Sequence, residues 1–238
     1  PGFNEIEERE ELGLLRAGWD GFVQERSTSA DDQLALFEEL GQSLEQLYPF
    51  FVRRCQFSEL PLKQAAVECP DLDPPVEEIL SLLSEVQPHL PDPPDEPDRF
   101  MRLVEGTKHL VQYGGELKQG DKAHLLTRFH SRSATGVTLK RWQDQVFARR
   151  VRDDLLVSLR LHIDPVLRQW RQYLYGLIAA FTDEAMRWYR NQRLAAGTLT
   201  FQDLLESSAH LLRNNAEVRD YFQRRYRILF VDEFQDTD

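Results

Sequence analysis

The stretch LRQWRQYLYGLIAAFTDEAMRWYRNQRLAAG, residues 167–197, decides the fold class. Leu167, Trp170, Leu174, Ile178, Phe181, Ala185 and Trp188 recur three or four residues apart, the spacing that lines up side chains on one face of an α-helix. A stripe of that length needs a core to cover it, and Gly197 stands where a left-handed residue would close the helix.

Back toward the N-terminus, helical composition extends to Thr138, with a break expected at Asp164-Pro165 because the residue before proline is disfavoured in the α region. Leu155, Val157, Leu159, Leu161 and Ile163 alternate as a strand would, yet Val151, Leu155, Leu159 and Ile163 fit a helix, which length and surroundings favour. Residues 4–26 and 30–48 read as two amphipathic helices carrying Leu12, Leu15, Trp19 and Phe22, then Leu34, Phe37, Leu40, Leu44 and Leu47. Another helix is expected after Pro75, and two more over 99–112 and 117–130. PHLPDPPDEPD, residues 88–98, should be an extended surface connection and the best internal boundary, and SRSATG, 131–136, a polar loop.

With 238 residues, 41% of them hydrophobic, the chain can bury a sizeable core. No apolar run is long enough for a transmembrane helix and no signal-peptide pattern opens the chain, so no membrane partner and a cytoplasmic setting are expected. The first residue, Pro1, suggests a cropped or processed chain. Cys55 and Cys69 show no disulfide or zinc-like spacing and are expected to be buried, reduced thiols. The net charge of −11 is uneven: residues 1–100 hold 7 Lys/Arg against 23 Asp/Glu, and residues 101–231 hold 22 against 13. The acidic total argues against indiscriminate coating of nucleic acid, while the basic half could contact phosphates.

Beyond Gly197, Thr200 and Asp203 read as an N-cap and an acidic first turn opening FQDLLESSAHLL. The all-α pattern ends at ILFV, 228–231, a short apolar run of the kind buried on both faces of a parallel sheet. Its sheet partners are expected to lie outside the given chain. Asp232 and Glu233 follow at once. Carboxylates at the C-terminal edge of such a strand can hold Mg²⁺ and polarise a water for attack on a phosphate, whereas a strand that merely ends in solvated acids would do neither.

The string VDEFQDTD, 231–238, resembles the Walker B motif of superfamily-one helicases of the UvrD/RecB family, with its Asp-Glu-x-Gln-Asp pattern. LTFQDLL, 199–205, resembles the Phe-x-Asp-Leu element shortly before that strand, RYRILFVDE resembles its lead-in, and PGFNEIEEREELGLLRAGWDGF looks like the entry to the family's helical accessory subdomain. The resemblance implies that Asp232 coordinates Mg²⁺ with ATP, Glu233 is the catalytic base, Gln235 links nucleotide state to the DNA side and Asp236 supports the motif. Phe201, Asp203 and Leu204 would pack and orient, with a helix-cap role equally open; Gln202 stands where an acidic residue is common.

The implied fold is mostly α: a helical accessory subdomain over 1–196 and part of a parallel α/β motor domain over 197–238. Within the resemblance, the roughly 200 residues before TFQDLL exceed the insertion typical of the short UvrD-like enzymes, and with the ending Asp-Thr-Asp they imply the RecB/AddA helicase-nuclease branch. The parent would couple ATP hydrolysis to 3′-to-5′ translocation in double-strand break repair and recombination, with nuclease partner subunits. No Gly-x-x-x-x-Gly-Lys-Ser/Thr loop occurs in the chain, so ATP and Mg²⁺ are expected as cofactors of the parent, and this stretch alone should bind neither and lack ATPase activity. Lys140, Arg141, Arg149, Arg150 and Arg152, interleaved with Trp142 and Phe147, are candidates for DNA contact, against a solvated helix face with its aromatics turned inward. The rival reading is an all-helical DNA- or protein-binding module without catalysis.

Overall fold

The computed structural model describes residues 4–5, 8–29, 32–62, 67–90, 97–108, 117–130 and 136–232. Its helices are α1 (Glu8–Thr28), α2 (Asp32–Glu39), α3 (Leu44–Gln56), α4 (Asp73–Val86), α5 (Arg99–Glu105), α6 (Gln119–Phe129), α7 (Gln145–Ser158), α8 (Asp164–Ala195), α9 (Phe201–Asn214) and α10 (Ala216–Arg225). Short 3₁₀ turns cover Gln87–His89 and Leu139–Arg141. The mostly α expectation is met.

The 32-residue helix α8 organises the rest because its apolar stripe serves two cores. Leu167 and Trp170, near its start, close a core built from α4, α5, α6 and α7, with Ile79, Phe100, Leu125, Phe129 and Val151 buried in it. Phe181, Ala185 and Tyr189, nearer its end, close a second core with Trp19 and Phe22 of α1, Phe37 of α2, and Leu47 and Phe51 of α3. The second core is rich in rings: Phe181 lies 6.0 Å from Trp19, 5.3 Å from Phe22 and 5.1 Å from Phe37, centroid to centroid. Edge-to-face contacts of this kind add to the stabilisation from burial alone.

The junction at Asp164-Pro165 departs from the expected break. Pro165 has no N–H for the carbonyl of Leu161 and its ring crowds that turn, so the chain widens into a π-helical turn over Leu159–Ile163, where the Asp164 N–H bonds Leu159 O. Helix continues through the proline. The single helix expected over 30–48 is instead two, α2 and α3. Gly41 separates them with φ +71°, and Ser43 opens α3 in a capping box with Gln46.

Gly41 also abuts Gly120 at the start of α6. A Cβ on Gly120 would sit 2.5 Å from Gly41 N, 2.6 Å from Leu40 C and 2.7 Å from Leu40 O. Those are backbone atoms, which cannot swing aside. Gly120→Ala is therefore expected to destabilise the chain by about 2 kcal/mol, checked by urea denaturation against wild type.

Asp98 ties the first core together. Buried at 2% exposure, it accepts from Met101 N at 2.8 Å as the N-cap of α5, from Thr138 N at 2.8 Å and from Trp142 Nε1 at 2.9 Å. The 88–98 connection lies outside the described residues over 91–96. On either side of it the chain seats on this same core, His89 stacking on Phe147 at 3.9 Å. Part of the helix expected over 99–112 and most of the loop at 131–136 also lie outside the described residues. Among those described, strand is confined to a two-residue parallel bridge in which Asn4 pairs with Thr198 and Glu5 with Leu199. Cys55 is partly buried and Cys69 exposed, so the expectation of two buried thiols is corrected; burial nonetheless pushes the Cys55 thiol up to about 12.

Candidate functional site

Gly197, φ 72°, ends α8, and the Thr198 hydroxyl donates to Arg193 O at 3.0 Å. Two residues later Thr200 caps α9 as the sequence implied. Its Oγ1 accepts from Asp203 N at 3.1 Å, and the Asp203 carboxylate accepts from Thr200 N and from Thr200 Oγ1, each at 2.9 Å. Asp203 has a second role. Arg193 Nη1 donates to its Oδ2 and Nη2 to its Oδ1 at 3.3 Å, while Arg190 Nε stands 3.7 Å from Oδ1. Arg190 also reaches Glu206 Oε2 at 3.0 Å, and the Ser58 hydroxyl donates to the other oxygen of Glu206.

The last two turns of α8 thus clamp the first turn of α9. Burial by itself pushes the Asp203 carboxyl up, but the hydrogen bonds from Arg193 and Thr200 outweigh it and hold it below the usual carboxylate range. Beside the clamp lies a small cavity of about 170 Å³, lined also by Cys55, Gln202 and Tyr189, whose buried hydroxyl has no hydrogen-bond partner among the described residues. Burial raises that phenol to about 12. Gln202 spans to Glu59 Oε2 at 3.4 Å. Phe201 is 63% exposed, so the packing role expected of it has no partner surface among the described residues.

Arg190, Arg193 and Tyr189 were not singled out by the sequence reading. Their signal is faint: two cations one turn apart, at the end of a helix whose successor opens on an acid.

ILFV forms no strand. Ile228, Leu229, Phe230 and Val231 are 73, 78, 91 and 55% exposed, and Asp232 beside them is exposed as well. A buried strand requires hydrogen-bonded neighbours and helical cover, and the described residues supply neither: the run is not a strand in this chain, and its exposure is the poor packing expected of an apolar run without its sheet. Glu233, Gln235 and Asp236 lie outside the described residues. Among those described, no three His, Cys, Asp or Glu side chains converge as metal ligands would. Helices α9 and α10 share the exposure: Leu205, Leu211, Leu212, Tyr221 and Phe222 face solvent.

The basic candidates divide. Lys140, Arg141, Arg149 and Arg150 are exposed, and Arg152 is partly buried. Arg150 pairs with Glu85 and lies 5.3 Å over the Phe147 ring, while Arg152 bonds Asp153. Trp142 and Phe147 are 4% and 8% exposed, turned into the first core. Stacking of bases on these two rings is thereby excluded, and Asp98 explains why: it holds the Trp142 indole N–H inside. No described helix is long and apolar enough to cross a membrane.

No solved structure matches the chain. Residues 165–238 match the UvrD/REP helicase N-terminal domain family. Over 54 residues the chain is 37% identical to a probable DNA helicase of Mycoplasma pneumoniae, covering 23% of this chain and 10% of that protein. Over 50 residues it is 38% identical to a probable DNA helicase II homolog of Rickettsia conorii, covering 21% of this chain and 8% of that protein. The matched stretch thus spans about a tenth or less of these relatives. The part from α8 through the Asp203 clamp to the apolar run and Asp232 is accordingly similar to the N-terminal domain of UvrD-like superfamily-one DNA helicases.

Proposed function

We propose that the chain belongs to a DNA helicase, with residues 1–196 as a helical accessory subdomain and 197–238 as part of the first motor domain. The observation that carries this reading is the family match over 165–238, which takes in both the buried Asp203 clamp and the uncovered run Ile228–Val231. Four consecutive exposed apolar residues followed by carboxylates make physical sense as a strand awaiting its sheet. In the whole protein that strand would present Asp232 and Glu233 to Mg²⁺ and ATP, with Gln235 and Asp236 supporting, in a cytoplasmic motor moving 3′ to 5′ on DNA. Its placement in the RecB/AddA helicase-nuclease branch, with break repair, recombination and partner subunits, rests on the length of helical chain before TFQDLL. The two relatives carry the names of DNA helicases.

The test is made in the full-length protein. Glu233→Gln is expected to lower DNA-stimulated ATP hydrolysis by about a hundred-fold or more while tailed-duplex binding persists, measured by phosphate release and by anisotropy. Unchanged hydrolysis would overturn the assignment. The chain 1–238 alone should bind the same duplex weakly, less so with Arg149→Glu and Lys140→Glu together, and lose that binding as salt is raised.

A further inference from the structure

A second, larger cavity of about 420 Å³ opens between α3, the turn that follows it, and the middle of α8. Its walls are Phe50, Phe57, Leu60, Tyr175, Ile178 and Thr182. Four of these are large apolar or aromatic side chains left open to solvent, Phe50 at 53%, Phe57 at 45%, Leu60 at 54% and Tyr175 at 52%. We propose that this groove docks a short acidic segment of a partner protein that carries closely spaced aromatic or branched apolar side chains.

Charge selects the sign of the partner. Arg53 stands on the α3 rim with its guanidinium 5.7 Å over the Phe57 ring. Along α8 the stripe that includes Tyr175, Ile178 and Thr182 continues one and two turns back to Arg171 and Arg168, by helical spacing, and both are exposed. Among the described residues these three arginines make no salt bridge. An apolar trough with Arg53 on its rim, and with Arg171 and Arg168 further along the same helix face, suits a ligand that is apolar at its centre and acidic at its flanks.

The polar groups of the wall select protein over nucleic acid. Thr182 Oγ1 already donates to Ile178 O at 2.7 Å, and Arg54 donates to Asp183 Oδ1 at 2.7 Å and to Phe57 O. A nucleobase placed here would bury its donors and acceptors against committed groups, which is costly, whereas a Phe, Leu or Ile side chain leaves nothing unsatisfied. The first hundred residues, which include α3, carry 23 acidic against 7 basic residues. That excess repels an acidic peptide and nucleic acid of equal length alike, so the discrimination between them rests on the committed polar groups of the wall.

The experiment uses the chain 1–238 and four fluorescein-labelled probes of about 15 units: an acidic peptide with Phe and Leu anchors at helical spacing, the same anchors among lysines, the same acids with serine for each anchor, and oligo-dT. The acidic anchored peptide is expected to bind at least about ten-fold more tightly than any other probe. Tyr175→Ala, and separately Arg53→Glu with Arg171→Glu, should each weaken it about five-fold or more with unchanged circular dichroism, since all three side chains lie at the surface. Equal binding of the lysine or serine peptide, displacement of the acidic peptide by oligo-dT, or a self-association abolished by Tyr175→Ala would overturn the proposal.

Discussion

Asp203→Ala is expected to lower the stability of the chain by about 3 to 5 kcal/mol, the range for removing one partner of a buried ion pair. The Asp203 side chain is 7% exposed and that of Arg193 11%. Without the carboxylate, the mostly buried Arg193 guanidinium loses its charged partner, α9 loses its capping box, and Arg190 keeps Glu206. Asp203→Asn separates the parts: the amide oxygen can still accept from Thr200 N, so the loss beyond the cap reports the charge. Pairing Asp203→Ala with Arg193→Met should restore much of the stability, because the stranded cation leaves with it. The measurement is chemical denaturation of the four proteins. pH gives an independent check. A carboxyl held below its unfolded value contributes stability that is fully present at neutral pH and is lost as pH falls through its folded value. Wild type should therefore weaken on acidification more steeply than Asp203→Asn.

Phe181→Ala is expected to cost about 4 kcal/mol, as large-to-small changes of a buried phenylalanine do. The ring is 1% exposed and meets Trp19, Phe22 and Phe37 at once. These three belong to α1 and α2, so the vacancy would lie where three helices meet and could not be filled by a single side-chain rotation. Thermal denaturation followed by the near-ultraviolet aromatic signal, with Trp142→Phe, Trp170→Phe and Trp188→Phe as the common background so that Trp19 is the remaining tryptophan, would read both the loss of stability and the loosening of the cluster. Phe181→Leu, which keeps most of the volume, should recover more than half of the loss.

What the sequence made legible follows from which signals are local. The stripe from Leu167 to Trp188 is a property of one helix, and it was found where expected. The Thr200–Asp203 cap depends on residues three apart, and it too was readable. The division of 30–48 was also within reach, since Gly41 and the Ser43-to-Gln46 spacing are local features, but the apolar spacing across them masked the break. The Arg193 clamp was out of reach because it depends on how α8 and α9 meet. For Trp142 and Phe147 the sequence offers both contact with DNA and rings turned inward beneath a solvated basic face; the bond from Asp98, forty-four positions earlier in the chain, decides for the inward position of the indole. ILFV shows the limit most plainly. A strand is defined by its neighbours, so an apolar run without a sheet has composition but no structure to match.

The continuous helix α8 has a mechanical consequence. Thirty-two residues at about 1.5 Å each make a rod about 48 Å long, with one end gripped by each core and the Asp203 clamp at its tip. The helix is unbroken between Trp170 and Arg193, so the two cores and the clamp share one element whose spacing its backbone hydrogen bonds fix. The widened turn at Leu159–Ile163 lies just before the rod's first residue, so the departure from regular helix falls outside the span that joins the two cores.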